Sequence, residues 1–232
     1  MGPTTPRLAG GYSATLRRVE TAILIAYGLL QAHLLHRLAD APWTRTDRLG
    51  IPAGVILGAL LADLTSALVH WGFDTWGSVR TPVIGRSFVR TFREHHTDAR
   101  EITRHGFVET NGANALLTLF VLIPTALARP DVGAPLGRAT IVAVLSLTLL
   151  IGVTSQIHKW AHTEAPPPLV RWLQRAGVIL SPEHHAAHHA APHDRCYAIT
   201  FGYVDALLDR GLFRALERVV TAATGLRPRA EE

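Results

Sequence analysis

The chain has 232 residues, 48% of them hydrophobic, and a formal net charge of +5 with histidine neutral; that length fits one domain with a substantial core. A single cysteine, Cys196, excludes an internal disulfide framework and any cysteine-built zinc or iron–sulfur site, so a metal must be held by nitrogen and oxygen. The basic residues, all but one of them arginine, are spread through the polar segments instead of massed in one tract, which points away from nucleic acid and, beside long apolar blocks, toward a membrane.

Residues 1–16, rich in Pro, Gly, Thr and Ser near the start, read as a disordered N-terminus, and 17–232 as a single domain. Four apolar blocks follow, at about 19–36, 51–70, 113–128 and 139–157, the third short and carrying Pro124. Each is close to the roughly 17–25 residues that span a bilayer. The fourth has neither a charge nor the polar face of a surface helix, which favours an all-α integral membrane protein of four transmembrane helices over a soluble bundle. Eighteen Arg and Lys residues precede block one, separate blocks two and three or follow block four, against five in the other two connections. By the positive-inside rule both termini and residues 71–112 are cytoplasmic. The chain is read as multi-pass, in a bacterial inner membrane.

The histidines collect on that cytoplasmic side. In the segment after block two, Asp63, His70 and Asp74 share one stripe at about 100° per residue, provided the helix runs on to 74. A carboxylate inside an apolar span is costly; Asp63 is either hydrogen-bonded within the bundle or orients His70. "REHHTDAREITRHGFVETN" supplies His95 and His96 in tandem, whose side chains diverge and so suit different metals, then His105, with Glu109 and Asn111 placed to cap block three or to reach the site. His158 and His162 form an H-x3-H pair at the end of block four, on one helix face within reach of one ion. "SPEHHAAHHAAPH" holds His185, His188 and His189 as H-x2-H-H, expected to converge on one face of a helix opened by Ser181 and Glu183, with His184 turned aside toward 188.

These nitrogens, with Asp74, exceed what one four-coordinate zinc needs, and two-metal hydrolases use more carboxylates. Imidazole-rich coordination of two ions suits a non-haem di-iron centre, which activates dioxygen against unreactive C–H bonds. The contrasting reading is a membrane metal- or haem-binding protein without turnover. The metal ligands expected are His70, Asp74, His95, His96, His158, His162, His185, His188 and His189. Asp63, His105, His184, His193 and Asn111 are expected as further ligands or as groups that orient them. No separate acid or base is assigned. His33 and His36 fall on the opposite side and read as interfacial.

The stretches "VHWGFDTWGS", "ITRHGFVETNG", "SQIHKWAHT" and "LSPEHHAAHHAAPHDRCYAITFGYVD" resemble the plasmanylethanolamine desaturase family, the Kua or CarF-like membrane lipid desaturases, over about residues 60–230. The resemblance carries the family's histidines onto His70, His95, His96, His105, His158, His162, His184, His185, His188, His189 and His193, and matches Asp74. It implies a plasmanyl phospholipid substrate taken from the bilayer, whose 1-O-alkyl chain gains the vinyl-ether double bond of a plasmalogen. It also implies dioxygen as co-substrate and electrons from a separate cytochrome b5- or ferredoxin-type protein. A chloroplast relative desaturates an acyl chain of phosphatidylglycerol, so acyl desaturation or hydroxylation is the alternative chemistry. Two departures stand out: Gly106 where the family has an aspartate, and Ser155 where it has an asparagine.

Overall fold

The computed structural model describes residues 12–76, 78, 80–82 and 90–228, and among them every regular element is helical. The expected unstructured start falls mostly on residues 1–11, outside the described residues; helix α1 (Ala14–Ala39) is already formed at 14, where the Ser13 hydroxyl accepts from the Leu16 amide at 3.1 Å. The long helices α2 (Asp47–Thr75), α4 (Phe107–Ala128) and α5 (Pro135–Ala161) join it, and all four are long and apolar enough to cross a membrane. Between α2 and α4 lies the short α3 (Arg90–Thr97), followed by a 3-10 turn at Glu101–Arg104.

Each apolar block extends as a helix beyond its hydrophobic limits. The third begins six residues earlier than its apolar run, because Glu109, Thr110 and Asn111 interrupt the hydropathy without interrupting the helix. The second runs on to Thr75, which puts His70 and Asp74 one turn apart on a continuous helix. Pro135 opens α5, where its missing N–H costs nothing, and Arg129 in the left-handed region (φ 48°) closes α4 ahead of Pro130.

The bundle is built around the α2–α5 contact. A Cβ on Gly54 would lie 2.8 Å from the Ala139 carbonyl oxygen, and one on Gly58 only 2.4 Å from that of Ala143, so these two glycines let the backbones meet. At the end away from the histidines, Arg138 is fully buried; its guanidinium donates to both carboxylate oxygens of Asp47 (2.9 and 2.7 Å) and to the carbonyls of Val132 and Gly133. Outward, the bundle exposes Ile25, Leu29, Ile56, Phe120 and Leu127, the surface expected against lipid.

At the histidine end the chain folds a cap over α2 and α5, made of α3, α6 (Pro168–Arg175), α7 (Pro182–His188), an irregular stretch, the single turn α8 (Asp205–Leu207) and α9 (Phe213–Thr224). Two apolar clusters pin it down. One sets Tyr197, Ala198, Leu208 and Phe213 against Ala67 and Trp71 of α2; the other sets Val170, Ile179, Leu180 and Ile199 against Ile157 and Ala161 of α5. Trp71 is buried in the first cluster, its ring 4.6 Å from Trp76 and 5.0 Å from Phe213 and its Nε1 donating to Glu217.

Candidate metal centre

Four elements of the cap and bundle bring nine side chains into two adjoining groups. The first contains His95 of α3, His158 and His162 at the end of α5, and His185 and His189 of the α7 segment, with one ring nitrogen from each lying within 4.8 Å of all the others. The Nε2 of His185 stands 2.7 Å from that of His158, 2.8 Å from that of His162 and 3.0 Å from that of His189. A neutral imidazole has one N–H and one lone pair, so these contacts cannot all be hydrogen bonds. Converging nitrogens of this kind are the shape of a cation site.

The second group joins His70 and Asp74 of α2, His96 of α3 and His188 of α7. Asp74 Oδ2 lies 3.3 Å from His70 Nε2, 3.4 Å from His96 Nε2 and 3.3 Å from His188 Nε2. Those distances exceed the roughly 2.7–2.9 Å of charge-assisted hydrogen bonds, and neither Asp74 oxygen has a hydrogen bond among the described residues. Three nitrogens around one oxygen, each too far to donate well, again form an arrangement that could hold a cation.

The backbone sets the tautomers. His70 Nδ1 donates to the Tyr197 carbonyl at 3.0 Å and His188 Nδ1 to the Arg195 carbonyl at 2.8 Å, so in both rings the lone pair is on the Nε2 that faces Asp74. The Nε2 of His95 and of His70 are buried without a hydrogen-bond partner among the described residues. Burial is the main cause that pushes the cap histidines down from their ordinary value, to about 2 for His95, about 3 for His189 and about 4 for His162, with neighbouring imidazoles adding to it. His185 is lowered for the same two reasons. At neutral pH these rings are uncharged and their lone pairs are free to bind a metal. The donor set, eight imidazoles and one carboxylate in two groups, fits two borderline transition-metal ions and exceeds one tetrahedral zinc.

Two sequence expectations change here. His185, His188 and His189 do not converge on one ion: His185 and His189 face the first group and His188 the second, because neighbours on a helix diverge by about 100° and the end of α7 is wedged between the groups. His95 and His96 part in the same way, as their tandem spacing predicts. Asp63 does not touch His70. Its Oδ1 accepts from the amides of Phe201 (2.8 Å) and Gly202 (3.1 Å) and its Oδ2 from Val204 (3.1 Å), so it anchors the cap to α2 by the backbone.

The remaining expected residues lie outside both groups. His105 sits between Glu101 and Glu109, 3.5 and 3.9 Å from their carboxylates, and its carbonyl accepts from Lys159. Asn111, fully buried, donates to the Phe107 carbonyl one turn back and does not cap its helix. His184 bonds Asp205 at 2.9 Å, which is the first cause of a pKa raised to about 10; Asp205 in turn accepts from the Ala198 amide. His193 donates from Nδ1 to the His188 carbonyl at 3.0 Å and places its ring 4.6 Å from that of His96, beside the second group. Ser155 accepts from Asn114 of α4 at 2.8 Å. The carbonyls of Tyr197 and Arg195 went unforeseen, since a backbone acceptor has no signature in sequence.

A family profile described as a lipid desaturase domain matches residues 59–231. The chain is 43% identical over 227 residues to a plasmanylethanolamine desaturase of Myxococcus xanthus, covering 97% of this chain and 79% of that one, and 42% identical over 232 residues to plasmanylethanolamine desaturase 1 of Mus musculus, covering 97% and 84%. It is 37% identical over 176 residues to the chloroplastic fatty acid desaturase 4 of Arabidopsis thaliana, covering 75% and 52%. No solved structure matches. A lipid desaturase profile over most of the chain and relatives matched nearly end to end, beside apolar helices and two side-chain groups that could hold metal ions, establish that this membrane protein belongs to the lipid desaturase family of oxidoreductases.

Proposed function

We propose that this desaturase is a di-iron enzyme that forms the vinyl-ether double bond in the 1-O-alkyl chain of a plasmanyl phospholipid. The observation that carries the reading is the pair of adjoining ligand groups, supported by two relatives named for plasmanylethanolamine and matched over 97% of the chain. His95, His158, His162, His185 and His189 hold one iron, and His70, Asp74, His96 and His188 the other. Bound iron supplies the dioxygen activation that an unactivated C–H bond demands. Overall, two hydrogens leave adjacent carbons of the alkyl chain, and with two electrons and two protons from outside the lipid, dioxygen is reduced to water.

The chain's own groups prepare that chemistry. Tyr197 and Arg195 hold the His70 and His188 rings in one tautomer, burial keeps the cap histidines neutral, and the two apolar clusters hold the cap against α2 and α5. The arginine excess supports a multi-pass topology with both termini and the histidine cap in the cytoplasm, in a bacterial inner membrane, where a cytochrome b5- or ferredoxin-type donor delivers electrons. The test is lipid mass spectrometry on a host supplied with alkylglycerol and expressing either this chain or its His188→Ala variant. Acid-labile vinyl ether formed only with the intact chain supports the reading. A new acyl double bond or hydroxyl in its place moves the substrate toward the acyl-lipid alternative that the Arabidopsis relative represents.

A further inference from the structure

A cavity of about 690 Å3, within the range of small-molecule sites, opens among the 97–100 segment, the end of α5, α6 and the start of α7. His96, His162, His185 and His189 form part of its wall, so it borders both ligand groups. Its lining also includes Arg100, Arg171 and Arg175 and the acidic Glu164 and Glu183. Arg100 is committed to Glu164 at 2.6 Å. Arg171 gives one N–H to the Pro166 carbonyl at 3.3 Å and keeps the others, and among the described residues no carboxylate pairs with it or with Arg175.

A second feature of the cavity points to a ligand independently. Gln174, between the two arginines on α6, is only 5% exposed, lines the cavity, and has an Nε2 without a hydrogen-bond partner among the described residues. A buried amide donor is costly when it lacks an acceptor. The same helix turns Leu169 and Trp172 outward, 66% and 61% exposed, the pairing of apolar, aromatic and arginine side chains found at membrane interfaces.

We propose that this cavity binds the phosphodiester of the lipid substrate, with Arg171 and Arg175 as its cationic partners and Gln174 as a buried donor. The inference rests on the phospholipid reading above and deepens it. In a 1-O-alkyl glycerophospholipid about six covalent bonds separate phosphorus from the first carbon of the alkyl chain, so a centre that dehydrogenates that carbon must keep the phosphate near at hand. A cavity lined both by histidines of the two groups and by two arginines with no carboxylate partner among the described residues satisfies that constraint, and guanidinium is the side chain best suited to phosphate oxygens.

The test measures binding by the purified full-length protein, without turnover. The probes are a 1-O-alkyl glycerophospholipid, the 1-O-alkylglycerol of the same chain lacking phosphate, and inorganic phosphate as competitor. Arg171→Gln/Arg175→Gln is expected to weaken phospholipid binding about tenfold or more and to leave alkylglycerol binding unchanged, with Arg171→Lys/Arg175→Lys retaining more affinity than the glutamine pair. Arg45→Gln/Arg48→Gln, at the opposite end of α2, is expected to change neither. Equal loss for both lipids, or no loss for the phospholipid, overturns the proposal. Full competition by low phosphate concentrations makes this a free-phosphate site and overturns it as a lipid site. Unchanged lipid binding with weakened binding of a cytochrome b5- or ferredoxin-type protein makes the cavity a donor dock instead and overturns the proposal. Phosphate-dependent binding by a chain that forms no double bond sinks the desaturation reading and leaves the cavity assignment standing.

Discussion

At the scale of single residues, each of the eight clustered histidines belongs to one of the two groups. His185→Ala opens the first group and His188→Ala the second, and each is expected to lower bound metal and cut desaturation by about 100-fold or more, checked by metal content against product yield. Acid should act on the same rings. His95, His162, His185 and His189 have folded pKa values below the ordinary histidine value near 6.5, so below that value the unfolded chain binds more protons than the folded one. From these rings, metal-free protein has its full stability by about pH 7 and loses it as pH falls through about 6.5 toward their folded values, measured as melting temperature against pH. His184 runs the other way: its raised pKa contributes stability below 6.5 that is lost as pH rises through about 10, and Asp205→Asn should abolish that alkaline limb. The tandem and H-x3-H spacings made much of this grouping legible, because helical geometry alone assigns faces. The division of His188 from His189 was hidden, since it depends on where the end of α7 sits between the two groups.

At the scale of elements, Asp63 is one of the polar groups by which α2 holds the cap. Asp63→Ala leaves three amides of the 201–204 stretch without an acceptor, at about 1–3 kcal/mol for each amide left buried and unsatisfied, and is expected to lower melting temperature and metal content together. Sequence showed that Asp63 was unusual in an apolar span but not what it bound, because its partners are backbone amides about 140 residues away. Gly58→Ala puts a methyl 2.4 Å from the Ala143 carbonyl oxygen and 2.6 Å from Ser146 Cβ. Forcing α2 and α5 apart there should cost about 1–3 kcal/mol, read as earlier unfolding in detergent. The existence of the four long helices was plain from their apolar runs. Their ends were not, because Phe107–Asn111 and His158–Ala161 are helical by packing and hydrogen bonding where hydropathy has already fallen.

At the scale of the whole molecule, polarity divides the protein into two ends. The Arg138–Asp47 lock closes one, and the arginine-rich cap with the histidine groups closes the other. The topology proposed from that asymmetry predicts that a fluorescent reporter fused at the C-terminus is active in the cytoplasm, and that one inserted at the 40–46 turn reports the opposite side. The most direct measurement of the central claim is elemental analysis of the purified full-length protein, with the His185→Ala and His188→Ala variants alongside. The account predicts about two iron atoms per chain in the intact protein and clearly fewer in each variant. Zinc in place of iron, a single ion unaffected by either substitution, or no bound metal in a protein that still desaturates lipid would contradict it.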